Sequence, residues 1–429
     1  MSGARGDHSA GAGERREFAP TRRVALKVAG QQFDAWTEVE IVRDLAEIAG
    51  SFLLEYHDAA RSRATLPAAA GPAPVPAALK PGQAVVLAID GEPVLTGYLD
   101  EVKLSISGAE LRASVAGRDR TGDLVDCAAA PDGPAEYRGL TVSEIAQRLC
   151  APFGIAVRAE VDVGPPLPRF AIDPAETAMA ALEKAARQRA LLVVSDGTGG
   201  LVLTRSGARR GPAPLALPGT VMEATALLSW KGRFSETIVK GQTERAAGGR
   251  GDAPALSATA SPLTPEMPAP ARLPGAGERA GVVMTGRARD AAVDRHRPRV
   301  VVAKTQSGGV SVQQQAEWLM RTARAEAERL TYTVADWRAG EEDRLWRPNE
   351  LVLVDDPYAG IHGDRLVAAV RYAYGAEGHR TTLTLVGPEA FEILPEGADQ
   401  RRARARPAAG GASTASELTA APPPAAGGR

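Results

Sequence analysis

Alternating apolar and polar residues run through the first quarter of the chain and predict a series of short β-strands. Val24, Leu26 and Val28 show the two-residue period of a strand that buries one face. Asp90-Gly91 separates two further apolar runs and is a strong hairpin signal. The length and spacing of these runs predict a small antiparallel barrel or sandwich over residues 22–120. The other strand candidates are 36–42, 52–56, 84–89, 94–99, 102–106 and 111–115.

The next segment, residues 121–210, alternates between helical and strand periodicity. Thr141 followed by Glu144 is a capping-box pattern, and the apolar residues after it recur at the spacing of one helix face. Asp173 followed by a proline predicts the start of a second helix. Asp196-Gly197 lies between two apolar runs and predicts a hairpin. The segment is therefore predicted to be a mixed α/β unit.

The strongest helical pattern of the chain lies in its third quarter. Ser311 and Gln314 form a second capping box, and one apolar face extends from Ala316 to Leu330. We interpret this face as core or subunit contact rather than as a cofactor site. The strand candidates on either side are 237–240, 300–303, 332–334, 351–354, 366–374 and 381–386.

Three stretches are too poor in large apolar residues to form a core. They are the N-terminal residues 1–21, the Pro/Ala/Gly-rich linker 244–278 and the C-terminal residues 398–429. A shorter Ala/Pro-rich loop covers residues 66–78. Such segments cannot bury enough apolar area to offset the entropy of ordering the chain, and we predict that the three long ones are disordered.

Composition narrows the classes of protein that fit. The 429 residues carry 51 basic and 52 acidic side chains, whereas general nucleic-acid binders carry a basic excess. Apolar residues make up 44% of the chain, but many are alanine, so we expect modest cores and stabilisation by oligomerisation. No apolar run approaches the ~18 residues of a membrane span, and residues 1–20 lack the apolar core of a secretion signal. We therefore expect neither stable membrane insertion nor secretion.

The sequence offers no catalytic, cofactor-binding or metal-binding residue to propose. The sequence contains no Walker A, GxGxxG, HExxH or GxSxG motif. Adjacent Asp355 and Asp356 on a strand point to opposite faces and make a poor chelate. Cys127 and Cys150 are predicted to be reduced thiols, with a bridge between them as the less favoured alternative. The histidines have no metal-ligand spacing and are interpreted as surface or turn residues: His8, His57, His296, His362 and His379.

Two further short motifs are better explained by their surroundings. Arg250-Gly251-Asp252 matches an integrin-binding tripeptide, but it lies in the predicted linker and we interpret it as a chance occurrence. The basic residues 401–406 are interpreted as a solvated tail rather than as a contact with DNA or lipid phosphates. A large, nearly neutral, multi-domain chain without clustered reactive groups indicates a structural or assembly protein rather than an enzyme.

Several segments resemble one protein family, in the same order along the chain. The resemblance is to the baseplate hub proteins of Mu-like contractile phage tails (the tail protein P family), which are related to the hub-like part of type VI secretion spikes. It spans about residues 24–395; the loop 66–78, the linker 244–278 and both tails depart from the family pattern. The matching segments are RGLTVSEIAQRLCAPFGI (138–155), residues 177–203 ending in SDGTGGLVL, FSETIVKGQ (234–242) and LWRPNELVLV (345–354), with weaker matches at 44–52 and 97–99.

The resemblance implies a fold and an assembly. Hubs of this family form homotrimers around a central channel, and each subunit carries two antiparallel β-barrels similar to those of tube proteins. Three subunits thus offer six barrels and adapt a threefold spike to a sixfold tube. The implied fold class is α+β, mainly β, and multi-domain. Its parts are tube-like barrels at 22–120 and at 221–243 with 346–395, and α/β side domains at 121–210 and 281–344.

The implied function is that of a structural hub without enzymatic activity, in a phage or phage-like tail. Its implied partners are the tail spike protein, the tail tube or tube-initiator protein and the baseplate wedge proteins, with DNA only in transit through the channel. Its implied location is the tail baseplate of the virion, after assembly in the host bacterial cytoplasm. The alternatives left open are a cell-wall-degrading tail enzyme, a type VI-like spike component and a multi-domain binding protein.

Overall fold

The computed structural model describes residues 23–58, 79–106, 111–243, 282–303 and 311–395. These described residues are 48% strand and 14% helix, which confirms the expected α+β, mainly β fold class. The segments predicted to be disordered lie outside the described residues.

The described residues form 24 strands and four α-helices. The strands up to residue 216 are β1 (Val24–Val28), β2 (Gln31–Phe33), β3 (Glu38–Asp44), β4 (Ser51–Asp58), β5 (Ala84–Ile89), β6 (Glu92–Ile106), β7 (Leu111–Asp119), β8 (Glu136–Tyr137), β9 (Ala156–Ala159), β10 (Phe170–Ala171), β11 (Leu192–Ser195), β12 (Gly200–Thr204), β13 (Arg209–Arg210) and β14 (Leu215–Ala216). The later strands are β15 (Val221–Leu228), β16 (Glu236–Thr243), β17 (Val282–Arg289), β18 (Pro298–Val302), β19 (Glu328–Ala335), β20 (Arg338–Ala339), β21 (Arg344–Leu345), β22 (Glu350–Asp356), β23 (Ile361–Gly375) and β24 (Gly378–Val386). The helices are α1 (Gly122–Asp126), α2 (Val142–Cys150), α3 (Ala178–Arg187) and α4 (Val312–Glu326).

Fourteen of these strands form one large sheet. Its order is β15-β19-β24-β23-β3-β4-β7-β6-β5-β1-β2, and β22 pairs with β23 and carries β13 and β14. Neighbouring strands are antiparallel, except that β13 and β14 run parallel to β22. Among the described strands, β15 and β2 each have a neighbour on one side only, so strand pairing alone does not close this sheet into a barrel.

The large sheet contains the same five-strand arrangement twice. The first β-module has the order β3-β4-β7-β6-β5, and the second β-module has the order β15-β19-β24-β23-β22. The central hairpins match in length: β6 and β23 have 15 residues each, and β7 and β24 have 9. Each long strand also carries a bulge at the equivalent place, at Asp100 in β6 and at Ala368 in β23. The chain therefore carries two β-modules of equivalent topology.

The two β-modules are joined side by side through β3 and β23. Ile41 lies opposite Tyr372 in this antiparallel pair, and both side chains are buried. On the opposite face, Glu40 accepts a hydrogen bond of 2.7 Å from Arg371. One continuous apolar core, which includes Trp337, is formed by residues of both modules. The junction is therefore a packed part of the fold and not a flexible link.

A mixed α/β unit follows the first β-module. Its helices pack with the sheet β11-β12-β9 around a core of their own. The predicted hairpin at Asp196-Gly197 is confirmed, because β11 and β12 pair antiparallel on either side of it. The predicted capping box of α2 is also confirmed: Thr141 Oγ1 accepts from the N–H of Glu144 at 3.2 Å, and the Glu144 carboxylate accepts from the N–H of Thr141 at 2.7 Å.

The start of α3 differs from the sequence prediction. Asp173 is the predicted cap, whereas Thr177 accepts the capping hydrogen bond from the N–H of Ala180 at 3.2 Å. Ala175 has a φ of +62°, and this left-handed residue interrupts any helical path from Asp173. Asp173 and Glu176 instead form a turn, in which the Glu176 carboxylate accepts from the N–H of Asp173.

A second insertion lies between β15 and β19 of the second β-module. It contains the sheet β17-β16-β18, with α4 packed on it around a small core. The predicted capping box of Ser311 and Gln314 is confirmed at the start of α4. Gly286 in β17 allows the close approach of this helix, since a Cβ there would collide with the carbonyl group of Val312.

The division implied by the resemblance differs from the sheet pairing at three strands. β13 lies within the range 121–210 expected for a side domain, but it pairs with β22 of the second β-module. β16 lies within the range expected for the second barrel, but it pairs with β17 and β18. β19 lies within the range expected for a side domain, but it pairs with β15 and β24 of the second β-module. Strand periodicity indicates which face of a strand is buried, but it does not indicate with which strand that strand pairs.

Candidate assembly surface

The residues that the sequence singled out for their chemistry are dispersed in the structure. As predicted, Asp355 and Asp356 point to opposite faces of β22. Asp355 is exposed, and its Oδ1 atom lies 2.6 Å from Nδ1 of His362. Asp356 is buried, and its carboxylate accepts a hydrogen bond of 2.6 Å from the Tyr332 hydroxyl. Across the described ranges, no three His, Cys, Asp or Glu side chains are grouped so as to hold a metal ion. His8, Arg250-Gly251-Asp252 and the basic run 401–406 lie outside the described residues.

The two cysteines are free, which confirms the favoured prediction. Cys127 is exposed, whereas Cys150 is buried in the core of the mixed unit. Burial raises the pKa of the Cys150 thiol to about 12, so this thiol stays protonated and unreactive at neutral pH.

A wide cleft lies between α3, α4 and the C-terminal segment 390–395. Its volume is about 1110 Å³, and its apolar lining includes Leu45, Met179 and Trp318. Several charged groups at its rim are engaged in ion pairs: Arg118 with Asp100 and Asp126, Arg187 with Glu183, and Glu392 with Arg321. Groups held in this way are poorly suited to act as a general acid or base on a substrate.

A buried polar junction attaches the mixed unit to the first β-module. The Asp119 carboxylate at the end of β7 accepts from the Ser195 hydroxyl at 2.6 Å, from the N–H of Gly50 at 3.1 Å and from the N–H of Thr121 at 2.9 Å. Burial raises the pKa of Asp119, although these hydrogen bonds oppose the shift. Arg43 donates to the carbonyl oxygen of Ser195 at 2.9 Å. With its oxygens occupied, this carboxylate acts as a structural tie between β7 and β11.

The edge strand β15 exposes apolar side chains on both of its faces. Every residue from Met222 to Leu228 is exposed, and Met222, Leu227 and Leu228 are 53%, 59% and 54% exposed. Within the described residues, β15 pairs only with β19, so its other side presents unpaired N–H and carbonyl groups. Exposed, apolar and unpaired edges are sites where another chain adds a strand.

The outer half of β6 presents a second open edge. β5 pairs with β6 only as far as Tyr98, and residues 101–106 of β6 pair with β7 alone among the described strands. Leu104 in this stretch is 48% exposed. We name residues 222–228 the β15 edge and residues 101–106 the β6 edge; together they form the candidate assembly surface.

Sequence reasoning did not identify β15. A signal was present, since Met222, Ala224, Ala226 and Leu228 are apolar at every second position. The run is a weaker signal than those of the buried strands, because two of its apolar residues are small alanines and because Leu227 interrupts the alternation. β15 differs from the buried strands because it pairs with a strand on only one side among the described residues, and this property follows from the sheet order alone.

Models of protein families match three parts of the chain. Residues 23–119 match the N-terminal domain of GpP-like Mu phage baseplate assembly proteins. Residues 121–205 match the second domain of gp44-like baseplate hub proteins. Residues 309–394 match the fourth domain of the Mu phage baseplate assembly protein GpP.

Individual relatives agree with these matches. The chain is 30% identical over 394 residues to the baseplate hub protein gp44 of Escherichia phage Mu, a match that covers 90% of this chain and 93% of that protein. It is 29% identical to the 43 kDa tail protein of prophage MuSo2 from Shewanella oneidensis, over 86% and 99% of the two chains, with a TM-score of 0.69. The tail protein of Neisseria meningitidis MC58 shares the fold, with 23% identity over 88% and 99% of the chains and a TM-score of 0.64. Since the relationship to the Mu protein runs through both β-modules and the mixed unit, the chain belongs to the baseplate hub proteins of Mu-like phages.

Proposed function

We propose that this protein is the structural hub of a contractile phage or phage-like tail, and that three copies form a ring with a central channel. The ring joins the central spike to the tail tube and lets tube and DNA pass when the sheath contracts. The observation that carries the proposal is the doubled β-module: each chain brings two equivalent modules, fixed side by side by β3 and β23. Three chains then supply six modules around a threefold axis, which is the number that a sixfold tube requires.

The proposed division of the chain follows the sheet pairing, except at β13, which lies at the end of the first side domain and pairs with β22. The first tube-like barrel is built on residues 22–120, and residues 121–210 form a side domain. The second tube-like barrel is built on β15, β19 and residues 346–395, and the sheet of β16, β17 and β18 with α4 forms the other side domain.

The proposed partners are those of a hub in a tail baseplate. They are the other two copies of the chain, the spike protein, the tail tube or tube-initiator protein and the baseplate wedge proteins. The net charge of −1 suits a channel through which DNA passes, because tight phosphate contacts would slow its transit. Assembly in the host cytoplasm and a final location in the virion tail follow from this role. No helix in the described ranges is long and apolar enough to cross a membrane.

The mass and shape of the purified full-length chain test the ring. Light scattering after size exclusion is expected to give three times the chain mass of 44.7 kDa, and electron microscopy is expected to show six β-modules around a hole. A chain that stays monomeric up to its solubility limit, or a trimer without a central opening, contradicts the proposal.

The hub is proposed to act mechanically and without catalysis, cofactor or metal. The rival function, degradation of the cell wall, predicts release of soluble fragments from peptidoglycan. We expect the purified protein to release no more dye from labelled peptidoglycan than a heat-inactivated sample does. Turnover that scales with protein concentration would establish the rival instead.

A further inference from the structure

The repeat identifies the strand of the first β-module that is equivalent to the exposed β15. In the first module, β3 pairs with β4, and Ile41 lies opposite Phe52. In the second module, β15 pairs with β19, and Ala226 lies opposite Leu330. β15 therefore occupies the place of β3, and Ala226 the place of Ile41. The two strands differ in their second neighbour, because β3 pairs with β23 whereas β15 has none among the described strands.

The same repeat identifies the partner that β15 lacks. β23 offers β3 the six residues after its bulge, from Ala369 to Tyr374. The equivalent residues after the bulge of β6 are 101–106, which is the β6 edge. In this comparison Leu104 takes the place of Tyr372, which pairs with Ile41. The β6 edge is thus open at the position where β23 is occupied by β3.

We propose that the β15 edge of one copy pairs antiparallel with the β6 edge of a second copy, and so reproduces between chains the β3–β23 junction within each chain. The inferred register places Ala226 opposite Leu104 and Leu228 opposite Val102. This pairing rests on the proposed trimer and defines its subunit contact. Within one chain β15 and β6 are not hydrogen-bonded to each other, so the pair forms between copies.

The chemistry of the two edges supports this register. In the β3–β23 junction, Val39 and Ile41 face the core together with Val370 and Tyr372. The β15 residues at the places of Val39 and Ile41 are Ala224 and Ala226, and they are followed on the same face by Leu228. On the β6 edge, the same face carries Val102 and Leu104. The pairing would bury the apolar side chains of β15 and Leu104, which the separate chain exposes to water, and would cover Val102, which is already partly buried against the core.

The geometry of the contact also determines the type of assembly. The β15 edge and the β6 edge are different surfaces, so each copy uses one edge towards each of its two neighbours. Such heterologous contacts either close into a ring or continue as a filament. Closure after three copies gives a ring in which β3–β23 and β15–β6 junctions alternate, and this alternation makes the six β-modules nearly equivalent.

Paired cysteines test the register directly. The variant carries Ala226→Cys and Leu104→Cys in a Cys127→Ser background, which removes the exposed native thiol while Cys150 stays buried. We expect mild oxidation of the full-length protein to give disulfide-linked dimers and trimers on a non-reducing gel. The control variant replaces Ala226→Cys by Thr225→Cys, whose side chain points to the other face of β15, and it is expected to remain uncrosslinked.

A charged substitution provides a second readout that does not depend on disulfide geometry. Ala226→Lys places a charge in the inferred contact and is expected to weaken trimer formation by about tenfold or more. Thr225→Lys, on the opposite face, is expected to change it much less. Both positions are exposed in the single chain, so both variants are expected to fold, which circular dichroism can verify.

The outcomes separate this pairing from the proposed ring. A trimer that does not crosslink and that tolerates Ala226→Lys overturns the pairing but keeps the ring. Equal crosslinking of the test and control variants overturns the register. A wild-type chain that remains monomeric at every concentration overturns both proposals.

Discussion

The two β-modules share their strand order but differ in what is attached to them. The first module connects β3 to β4 by the short segment 45–50, whereas the second connects β15 to β19 through the inserted sheet and α4. At the end of β7, Asp119 ties the first module to the mixed unit. The equivalent residue after β24 is Gly387, whose N–H donates to the carbonyl oxygen of Ala325 in α4 at 3.1 Å.

The two modules keep the same sheet register, while single residues adapt each module to its neighbours. In the first module, the carboxylate of Asp119 binds polar groups of the adjoining mixed unit. In the second module, Gly387 at the equivalent position allows α4 to approach closely. The same is true of the inward-facing positions: Tyr372 is buried, whereas its equivalent, Leu104, is exposed. Substitutions at equivalent positions of the two modules should therefore change the free energy of unfolding by unequal amounts.

The largest difference in the free energy of unfolding is expected between Tyr372, at the module junction, and its equivalent, Leu104. Tyr372→Ala removes a buried aromatic ring whose hydroxyl also donates to the carbonyl oxygen of Trp346, so it should lower the free energy of unfolding by about 3–5 kcal/mol. Leu104→Ala at the equivalent position should change it by less than about 0.5 kcal/mol in the single chain. Urea denaturation of both variants measures the difference. Equal losses would show that the two positions are not distinct in burial.

The next largest loss of stability is expected from a substitution at the contact between the second module and α4. Gly387→Ala places a Cβ 2.6 Å from the Cα of Ala325, and the backbone must shift, so we expect a loss of about 1–3 kcal/mol. Gly375→Ala at the end of β23 is the matched control, because its nearest neighbour, Glu38, is 3.9 Å away. Thermal denaturation compares the two. If Gly387→Ala left the thermal stability unchanged, this result would contradict the close packing of α4 against the end of β24.

Asp119→Asn removes the charge of this side chain and is expected to lower the free energy of unfolding by a smaller amount, about 1–2 kcal/mol. The loss is small because Asn keeps one acceptor oxygen for the donors around it. Because burial raises the pKa of Asp119 in the folded state, the folded protein binds more protons than the unfolded chain between the ordinary and the raised pKa. The stability of the wild type therefore falls as pH rises through this window, while that of Asp119→Asn does not.

Urea denaturation at several pH values measures this difference. The deficit of Asp119→Asn should be larger below the window than above it. A deficit that grows as pH rises would reverse the sign and refute the assigned cause.

The smallest effect is expected on the outer face of the junction. Hydrogen bonding to Arg371 lowers the pKa of Glu40, but both side chains are partly exposed, so Glu40→Gln should cost only about 0.2–1 kcal/mol. This contribution is present above the ordinary glutamate pKa and is lost as pH falls through the lowered value. Denaturation in low and high salt should show that the cost shrinks with ionic strength. Glu38→Gln on the same strand serves as the control.

Local signals in the sequence predicted local structure well. The two capping boxes, at Thr141 and Ser311, mark the starts of α2 and α4, and Asp90-Gly91 forms its hairpin. The long strand β6 is predicted as two strands, because the bulge at Asp100 interrupts the alternation of its side chains. Asp173 is an incorrect cap because the left-handed residue Ala175 follows it.

The assembly surface could not be predicted in the same way. The repeat is conserved in strand length and register but not in residue type, since Tyr372 and Leu104, or Asp119 and Gly387, have little in common. The assignment of β16 and β19 to different sheets depends on long-range pairing, which periodicity does not encode. The openness of β15 is a property of the whole sheet order and of no single residue.

The β3–β23 junction has a consequence for the kinetics of assembly. Because both strands belong to one polypeptide, their effective concentration is high, and this contact forms during folding whatever the number of copies in the cell. In the proposed ring, only the remaining half of the module contacts depends on collision between chains. A ring built from six separate modules would have six contacts between chains instead of three, so the fusion of two modules should favour rapid, complete closure at low expression.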